Sequence, residues 1–157
     1  MPNNSTFKDI EFMESALAEA QQALAEDEIP VGAVLVKDGI IVAKDHNRTR
    51  QQGNPLAHAE KLIIDKILAS GEKYLSGYTL YVTLEPCLMC SGILIWSRLG
   101  TLIYGADDPK AGCVGSIYNA LCDAHFNHHP IIRKGVMAEE CGALLREFFR
   151  SKRNKDT

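Results

Sequence analysis

The stretch that decides the fold is "TLYVTLEPCLMC", Thr79 to Cys90. Its first half is β-branched, aromatic and apolar at nearly every position, the composition of a strand buried on both faces. Pro86 then ends the strand and suits a first helical residue. Directly after it stand Cys87 and Cys90, three positions apart at the start of a helix. A strand running straight into a helix is the repeating step of an α/β protein. Two thiols at that junction have three readings: a redox pair, half of a closed structural zinc clamp, or part of a catalytic metal site.

Working outward, the pattern continues in both directions. "TLIYGA" (101–106) reads as the next strand, followed by a polar loop with Asp107, Asp108, Pro109 and Lys110. A short helix is expected over Ser116 to Leu121, a fifth strand in "PIIRKGVM" (130–137), and a last helix from Ala138 to about Lys152. Upstream, Ile10, Met13, Leu17, Ala20 and Leu24 recur near the helical period, so Asp9 to Glu28 reads as an amphipathic helix. "IPVGAVLVKDGIIVAKDH" (29–46) gives two strands, and the Asp38-Gly39 pair is a hairpin signal. After the polar "NRTRQQGN" (47–54), a helix is expected from Pro55 to Ser70, capped by Asn54. The helix after "TLYVTL" is expected from Pro86 to about Arg98. This order implies one five-stranded sheet with helices on both faces, and its binding site among the loops at one end of the sheet.

Composition narrows the function. The chain has 157 residues, enough for one domain with a real core, and 46% hydrophobic with 24% charged residues is ordinary for a globular protein. No apolar run reaches the length of a membrane helix. "MPNNSTFKDIEF" lacks the basic and apolar regions of a secretory leader, and five cysteines at irregular spacing argue against a disulfide framework. A reduced, cytoplasmic setting and no membrane partner are the expectations. Net charge is −3, yet residues 146–157 carry five basic side chains (Arg146, Arg150, Lys152, Arg153, Lys155) against Glu147 and Asp156. That basic end is either a helix terminus matched to its dipole or a surface for a polyanion.

A second candidate group is "NPLAHAE" (54–60), with His58 and Glu60 close to a helix start. Two residues apart on a regular helix they point about 200° from each other. At an N-terminus both can project past the helix end. If the helices after Pro55 and Pro86 lie side by side, His58, Cys87 and Cys90 supply three zinc ligands and leave the fourth position to water. Glu60 is then placed to move that water's proton. A redox use of Cys87 and Cys90 leaves the His-x-Glu unexplained. A closed zinc site needs a fourth ligand, for which Cys113, His125, His128 and His129 are available. Glu85, just before the helix start, reads as structural.

"HAE" (58–60) followed by "PCLMC" (86–90) resembles the zinc-dependent nucleobase deaminase superfamily. The likeness extends to "EIPVGAVLV" (28–36), "HNRTR" (46–50), "GADDPKAG" (105–112), "FNHH" (126–129) and "EECGALLREFFRSKR" (139–153), and these segments together resemble the bacterial tRNA-specific adenosine deaminase family. The resemblance implies a three-layer α/β/α cytidine-deaminase-like fold with a mixed five-stranded sheet in a single domain, residues 1–157 with its core at 9–153. It implies one Zn2+ per subunit held by His58, Cys87 and Cys90, with Glu60 as proton shuttle. It also implies that zinc-bound hydroxide attacks C6 of a wobble adenine, giving inosine in the anticodon stem-loop of an arginine tRNA. Asn47, Asp108, Lys110, Asn127, Phe148 and Arg153 match the family's nucleotide contacts, with Phe149 beside them. At least one of the two phenylalanines is expected in the core. The family is homodimeric, and the apolar "SGILIWSRLG" (91–100) is a candidate interface helix. Asp107, Cys113 and His129 depart from the usual family residues. A free-base or nucleoside deaminase of the same superfamily, acting on guanine, cytosine or cytidine, would keep the zinc ligands and Glu60. A non-catalytic zinc-stabilised binding module is the reading from another class.

Overall fold

The computed structural model describes residues 6–155, the side chain of Lys155 excepted. The outermost residues of the expected domain, 1–5 and 156–157, lie outside the described ones. In chain order the elements are α1 (Phe7–Ala25), β1 (Gly32–Lys37), β2 (Ile40–His46), α2 (Thr49–Gln52), α3 (Ala59–Ala69), β3 (Tyr78–Leu84), α4 (Leu88–Trp96), β4 (Thr101–Ala106), β5 (Ile131–Lys134) and α5 (Ala138–Lys155). A single 3-10 turn covers Ala120–Cys122. The strands form one sheet in the order β2-β1-β3-β4-β5. β1 pairs antiparallel with β2 and β3, whereas β3, β4 and β5 run parallel, so the sheet is mixed. The Asp-Gly hairpin forms as expected, with Asp38 and Gly39 both at positive φ (52° and 76°).

Alternation along the central strands divides the core into two layers. Ala33, Leu35, Leu80, Val82, Leu102 and Tyr104 face one side and pack with Ile63 and Ile64 of α3 and Leu94 of α4. Val34, Val36, Tyr81 and Ile103 face the other and pack with Phe12, Met13 and Ala16 of α1 and Cys141 of α5. This is the three-layer α/β/α arrangement. Each fully buried leucine or isoleucine in it contributes about 1.5–3 kcal/mol relative to exposure. Gly32 permits the close packing of α1, because a Cβ there would stand 2.1 Å from the carbonyl oxygen of Ala16. A buried network also staples α1 to the sheet: Tyr81 Oη donates to Asp9 at 2.6 Å, and Arg133 reaches the same carboxylate at 3.0 Å.

Several element boundaries differ from the sequence expectations, each for a local reason. α1 ends at Ala25 rather than Glu28 because Asp27 turns left-handed (φ 60°). Part of the expected loop after β2 is helical: the buried carboxylate of Glu28 accepts the Arg50 and Gln51 amides and the Thr49 hydroxyl, and so nucleates α2. α3 starts at Ala59 instead of Pro55, since Asn54 spends its side chain on the Leu56 amide in a turn of its own. α4 starts at Leu88, two residues after Pro86, and stops at Trp96 because Arg98 adopts φ 56°. The helix expected at 116–121 is only the 3-10 turn at Ala120–Cys122. The fifth strand stops at Lys134 where Gly135 and Met137 take positive φ.

Candidate metal and catalytic centre

The site lies at the carboxyl end of β3, where α3 and α4 begin next to each other. His58 is the N-cap residue of α3 and Cys87 the N-cap residue of α4, both with extended backbones (φ/ψ −80°/149° and −76°/179°). Neither side chain caps its own helix. Both leave the helix axis and meet instead. His58 Nδ1 lies 3.6 Å from Cys87 Sγ and 3.6 Å from Cys90 Sγ. A nitrogen and a sulfur bound to one tetrahedral zinc are separated by about 3.5 Å, given bonds near 2.0 and 2.3 Å. Both N–S distances therefore fit zinc. Among the described residues, this trio is the group of His, Cys and acidic side chains able to hold a metal ion. Cys113, buried, instead turns its thiol to the Ala111 carbonyl, and His128 and His129 bind the carbonyls of Leu99 and Asp123. Among the described residues no fourth protein ligand joins the trio, the donor set of an open site.

The electrostatics suit metal capture. The Cys87 thiol is drawn well below its ordinary range, chiefly by the hydrogen bond from Cys90 and then by His58, against the effect of burial. Cys90 is pushed up, first by that same hydrogen bond and then by burial. His58 is raised by its bond to Cys87, and burial opposes the rise. A metal ion binds both sulfurs as thiolates, so its binding displaces the thiol protons. Glu60 sits in the first turn of α3, only 4% exposed. Burial raises its pKa, partly offset by its own backbone amide and by His58, and it interacts with the Cys90 side chain. A buried carboxyl poised to hold a proton beside a metal-ligand cluster is the chemistry of a general acid and base.

α3 is capped from outside. Asn47, buried at the end of β2, accepts the Ala59 amide with its side-chain oxygen at 2.8 Å. That bond replaces the cap expected from Asn54 and fixes where His58 and Glu60 project. Sequence reading did not find this role, because the two residues are twelve positions apart and belong to different elements.

The other candidate residues belong to separate loops and to the end of α5. Asp108 and Lys110 lie in the loop after β4, where the Asp108 carboxylate accepts the amides of Lys110 and Ala111. Asn127 lines a groove of about 270 Å³ together with Leu88, Ile95, Trp96, Phe126 and His128. Arg153 is exposed near the end of α5. Phe148, 4% exposed, is the core member expected of the pair and as packed here shows little ring face to a base, whereas Phe149 is 46% exposed. The end of α5 is tied to the site-bearing edge of the molecule. Lys152 Nζ lies 2.5 Å from Asp27 Oδ1, and Arg50 Nη2 lies 3.3 Å from Asp27 Oδ2.

Residues 6–106 match the cytidine and deoxycytidylate deaminase zinc-binding region. The chain is 46% identical over 145 residues to the tRNA-specific adenosine deaminase of Bacillus subtilis, covering 92% of this chain and 90% of that protein. It is 44% identical over 146 residues to the enzyme of the same name from Agrobacterium fabrum, covering 92% and 96%. A solved tRNA:A34 deaminase, described as editing A to I at the wobble position of transfer RNA, superposes with a TM-score of 0.82 at 43% identity, covering 86% of this chain and 99% of that one. Two helix starts that face each other across a zinc-sized gap, and relatives this similar along nearly their whole length, place the chain in the cytidine and deoxycytidylate deaminase family, among its tRNA-specific adenosine deaminases.

Proposed function

We propose that this protein is a single-domain, zinc-dependent hydrolase that deaminates adenosine to inosine in tRNA, at the wobble position of an arginine-accepting anticodon. The observation that carries the chemistry is the His58, Cys87 and Cys90 cluster at tetrahedral spacing beside the buried Glu60. When bound, zinc supplies a Lewis-acidic open position at which water is acidified towards hydroxide at neutral pH. Glu60 takes the proton that the attacking water releases and delivers it to N1 of the adenine ring. It then takes the proton of the new hydroxyl at C6 and passes it to the departing 6-amino group, so that ammonia leaves and C6 keeps a carbonyl. Burial raises the pKa of the Glu60 carboxyl and so favours the form that holds the proton.

Support for an RNA substrate comes from the surroundings. An adenosine must leave its stack to enter such a pocket, and an anticodon loop presents unstacked bases at little cost. Asn47, Asp108, Lys110 and Asn127 are the polar side chains that this reading assigns to the nucleotide. Arg153, with Phe149 in place of Phe148, supplies charge and an aromatic face on α5. The ion pairs through Asp27 hold the basic end of α5 against the loop that follows Asn47. A homodimer through α4 completes the reading: Trp96 is 84% exposed and Leu88 61% exposed on one apolar groove. Trp96→Arg should then give monomers by sedimentation. All five cysteines are free thiols, which suits the reducing cytoplasm. No helix of the described residues is long and apolar enough to cross a membrane.

The test is inosine formation on an arginine-tRNA anticodon stem-loop with wobble adenosine, beside the same loop with guanosine, and free adenosine, guanine and cytidine. Turnover confined to the adenosine stem-loop is expected. Turnover of a free base or nucleoside with none on the RNA would keep the zinc chemistry and overturn the tRNA assignment.

A further inference from the structure

Glu85 is a buried carboxylate that the reaction does not use. It stands at the end of β3, directly before the Pro86-Cys87 turn, and only 2% of it is exposed. Its partners all come from one distant segment. Glu85 Oε1 accepts the Asp108 amide at 3.0 Å and the Ser116 hydroxyl at 2.5 Å. Glu85 Oε2 accepts the amides of Val114 at 2.9 Å and Ser116 at 3.1 Å. The loop is closed around the carboxylate so tightly that a Cβ on Gly112 would stand 2.3 Å from Glu85 Cδ. The neighbouring residue adds a parallel link, since the Cys113 amide donates to the Pro86 carbonyl at 2.9 Å.

This geometry has a specific consequence. Residues 107–116 have no regular secondary structure that would fix their position relative to α4. Their backbone amides converge on a carboxylate two residues from a metal ligand, and the place of the whole loop is thereby referred to the Cys87 turn. Asp108 is held at both ends: its amide by Glu85, its carboxylate by the turn at Lys110 and Ala111. A buried carboxylate accepting four hydrogen bonds is rigid, because each lost donor leaves an unsatisfied buried charge.

We propose that Glu85 is a positioning residue for substrate recognition: it registers the 107–116 loop, and with it Asp108 and Lys110, against the metal-ligating turn. The inference rests on the reading of this loop as part of the nucleotide-binding rim. Glu85 touches neither the reacting base nor the metal ligands' donor atoms, so it acts on substrate binding more than on the chemical step.

Three variants test this on the zinc-loaded protein: Glu85→Gln, Ser116→Ala and Gly112→Ala. Glu85→Gln keeps the shape but turns an NH2 group towards amides that need an acceptor. Gly112→Ala forces the loop off the carboxylate, while Ser116→Ala removes one donor of four. For Glu85→Gln and Gly112→Ala the KM for the stem-loop should rise about tenfold or more, with kcat changed less than threefold and one zinc per chain retained. Ser116→Ala should give a smaller rise in KM. Hydrogen exchange at the amides of 108, 114 and 116 should accelerate in Glu85→Gln while amides of α3 and α4 keep their protection. Unchanged KM in Glu85→Gln and Gly112→Ala, or unaltered exchange at those amides, would overturn the proposal. So would loss of zinc and of α3 and α4 protection in step with activity, which would make Glu85 a support of the whole fold. If the wild-type protein fails to deaminate the stem-loop, the functional reading fails, and the exchange measurement still decides whether Glu85 registers the loop.

Discussion

The side-chain oxygen of Asn47 accepts the backbone amide of Ala59 at 2.8 Å, and both residues are buried. A residue at the end of β2 thus caps the helix whose first turn presents His58 and Glu60. The amide nitrogen of Asn47 is a separate donor, which the proposed function assigns to the nucleotide. These two roles can be separated. Asn47→Asp keeps the acceptor and adds a negative charge at a helix N-terminus, so thermal stability should stay near that of the wild type while deamination falls at least tenfold. Asn47→Ala loses the cap as well, and should lower stability by about 1–2 kcal/mol in denaturant unfolding. Equal activity in the wild type and Asn47→Asp would remove the donor role.

Glu60→Gln preserves the volume of a side chain that is almost wholly buried but cannot carry the proton. General acid and base groups contribute about 10²–10⁴-fold. A loss of that size is expected with zinc content and melting temperature nearly unchanged, measured by metal analysis and calorimetry on the same sample. Turnover within tenfold of the wild type would dismiss the shuttle assignment.

Zinc and fold are linked in a way that chelation exposes. The cluster joins the starts of α3 and α4, which belong to segments separated by β3, so removing the ion loosens both. A ligand present at 100 times its dissociation constant stabilises the folded state by about 2.7 kcal/mol. Chelated protein should melt several degrees lower and recover on adding zinc. Cobalt in its place should give a d–d spectrum that changes when a small exogenous ligand is added, because the fourth position is open. A spectrum indifferent to added ligand would indicate a closed structural site.

The metal-ligand trio was legible in the sequence because its residues stand next to strong local signals. Cys87 and Cys90 follow a buried strand and a proline, and His58 precedes an amphipathic run, so each could be placed at a helix start. The alternation of β1, β3 and β4 likewise announced a covered sheet. What escaped was long-range hydrogen bonding. Glu28 makes a helical turn of residues 49–52, Asn47 moves the start of α3 to Ala59, and Glu85 holds Ser116 in a loop where a short helix was expected. In each case a polar side chain from a distant segment satisfies backbone amides that local propensity assigns elsewhere. Phe148 and Phe149 show the same limit: adjacent and identical, they differ in burial only through what α5 packs against.

Acid sensitivity should have an identifiable source in Glu28. Burial works to raise its pKa, yet the amides of Arg50 and Gln51 and the hydroxyl of Thr49 together hold it below the ordinary 4.5. The folded state therefore releases this proton more readily than the unfolded chain. Its stabilisation is fully present above the unfolded pKa and is lost as pH falls through the lower folded value. Glu28→Gln should reduce stability at pH 7 by about 1–3 kcal/mol, from weakened hydrogen bonds to a formerly charged group. The difference from the wild type should shrink as pH falls below 4. Urea titrations of both proteins at pH 7 and pH 3 measure it, and a difference independent of pH would place the effect elsewhere.

The basic end of α5 gives a prediction in which salt is the probe. Lys152 is held by Asp27, which also pairs with Arg50, while Arg153 is exposed one residue further on. If these cations lie along the path of the RNA backbone, each contact with phosphate releases counterions, and affinity falls steeply with salt. Removing one such contact lowers the slope of log affinity against log salt by about 1, or somewhat less on single strands. Arg153→Ala should therefore weaken stem-loop binding at low salt and flatten the slope, with kcat at saturating RNA within about twofold of the wild type. Lys152→Ala should do the same with a smaller change, because part of its charge is already neutralised by Asp27. Binding measured by fluorescence anisotropy from 50 to 300 mM salt distinguishes the cases. A slope identical to that of the wild type in both variants would return the basic end of α5 to a solvated helix terminus and leave RNA recognition to the loops around the metal site.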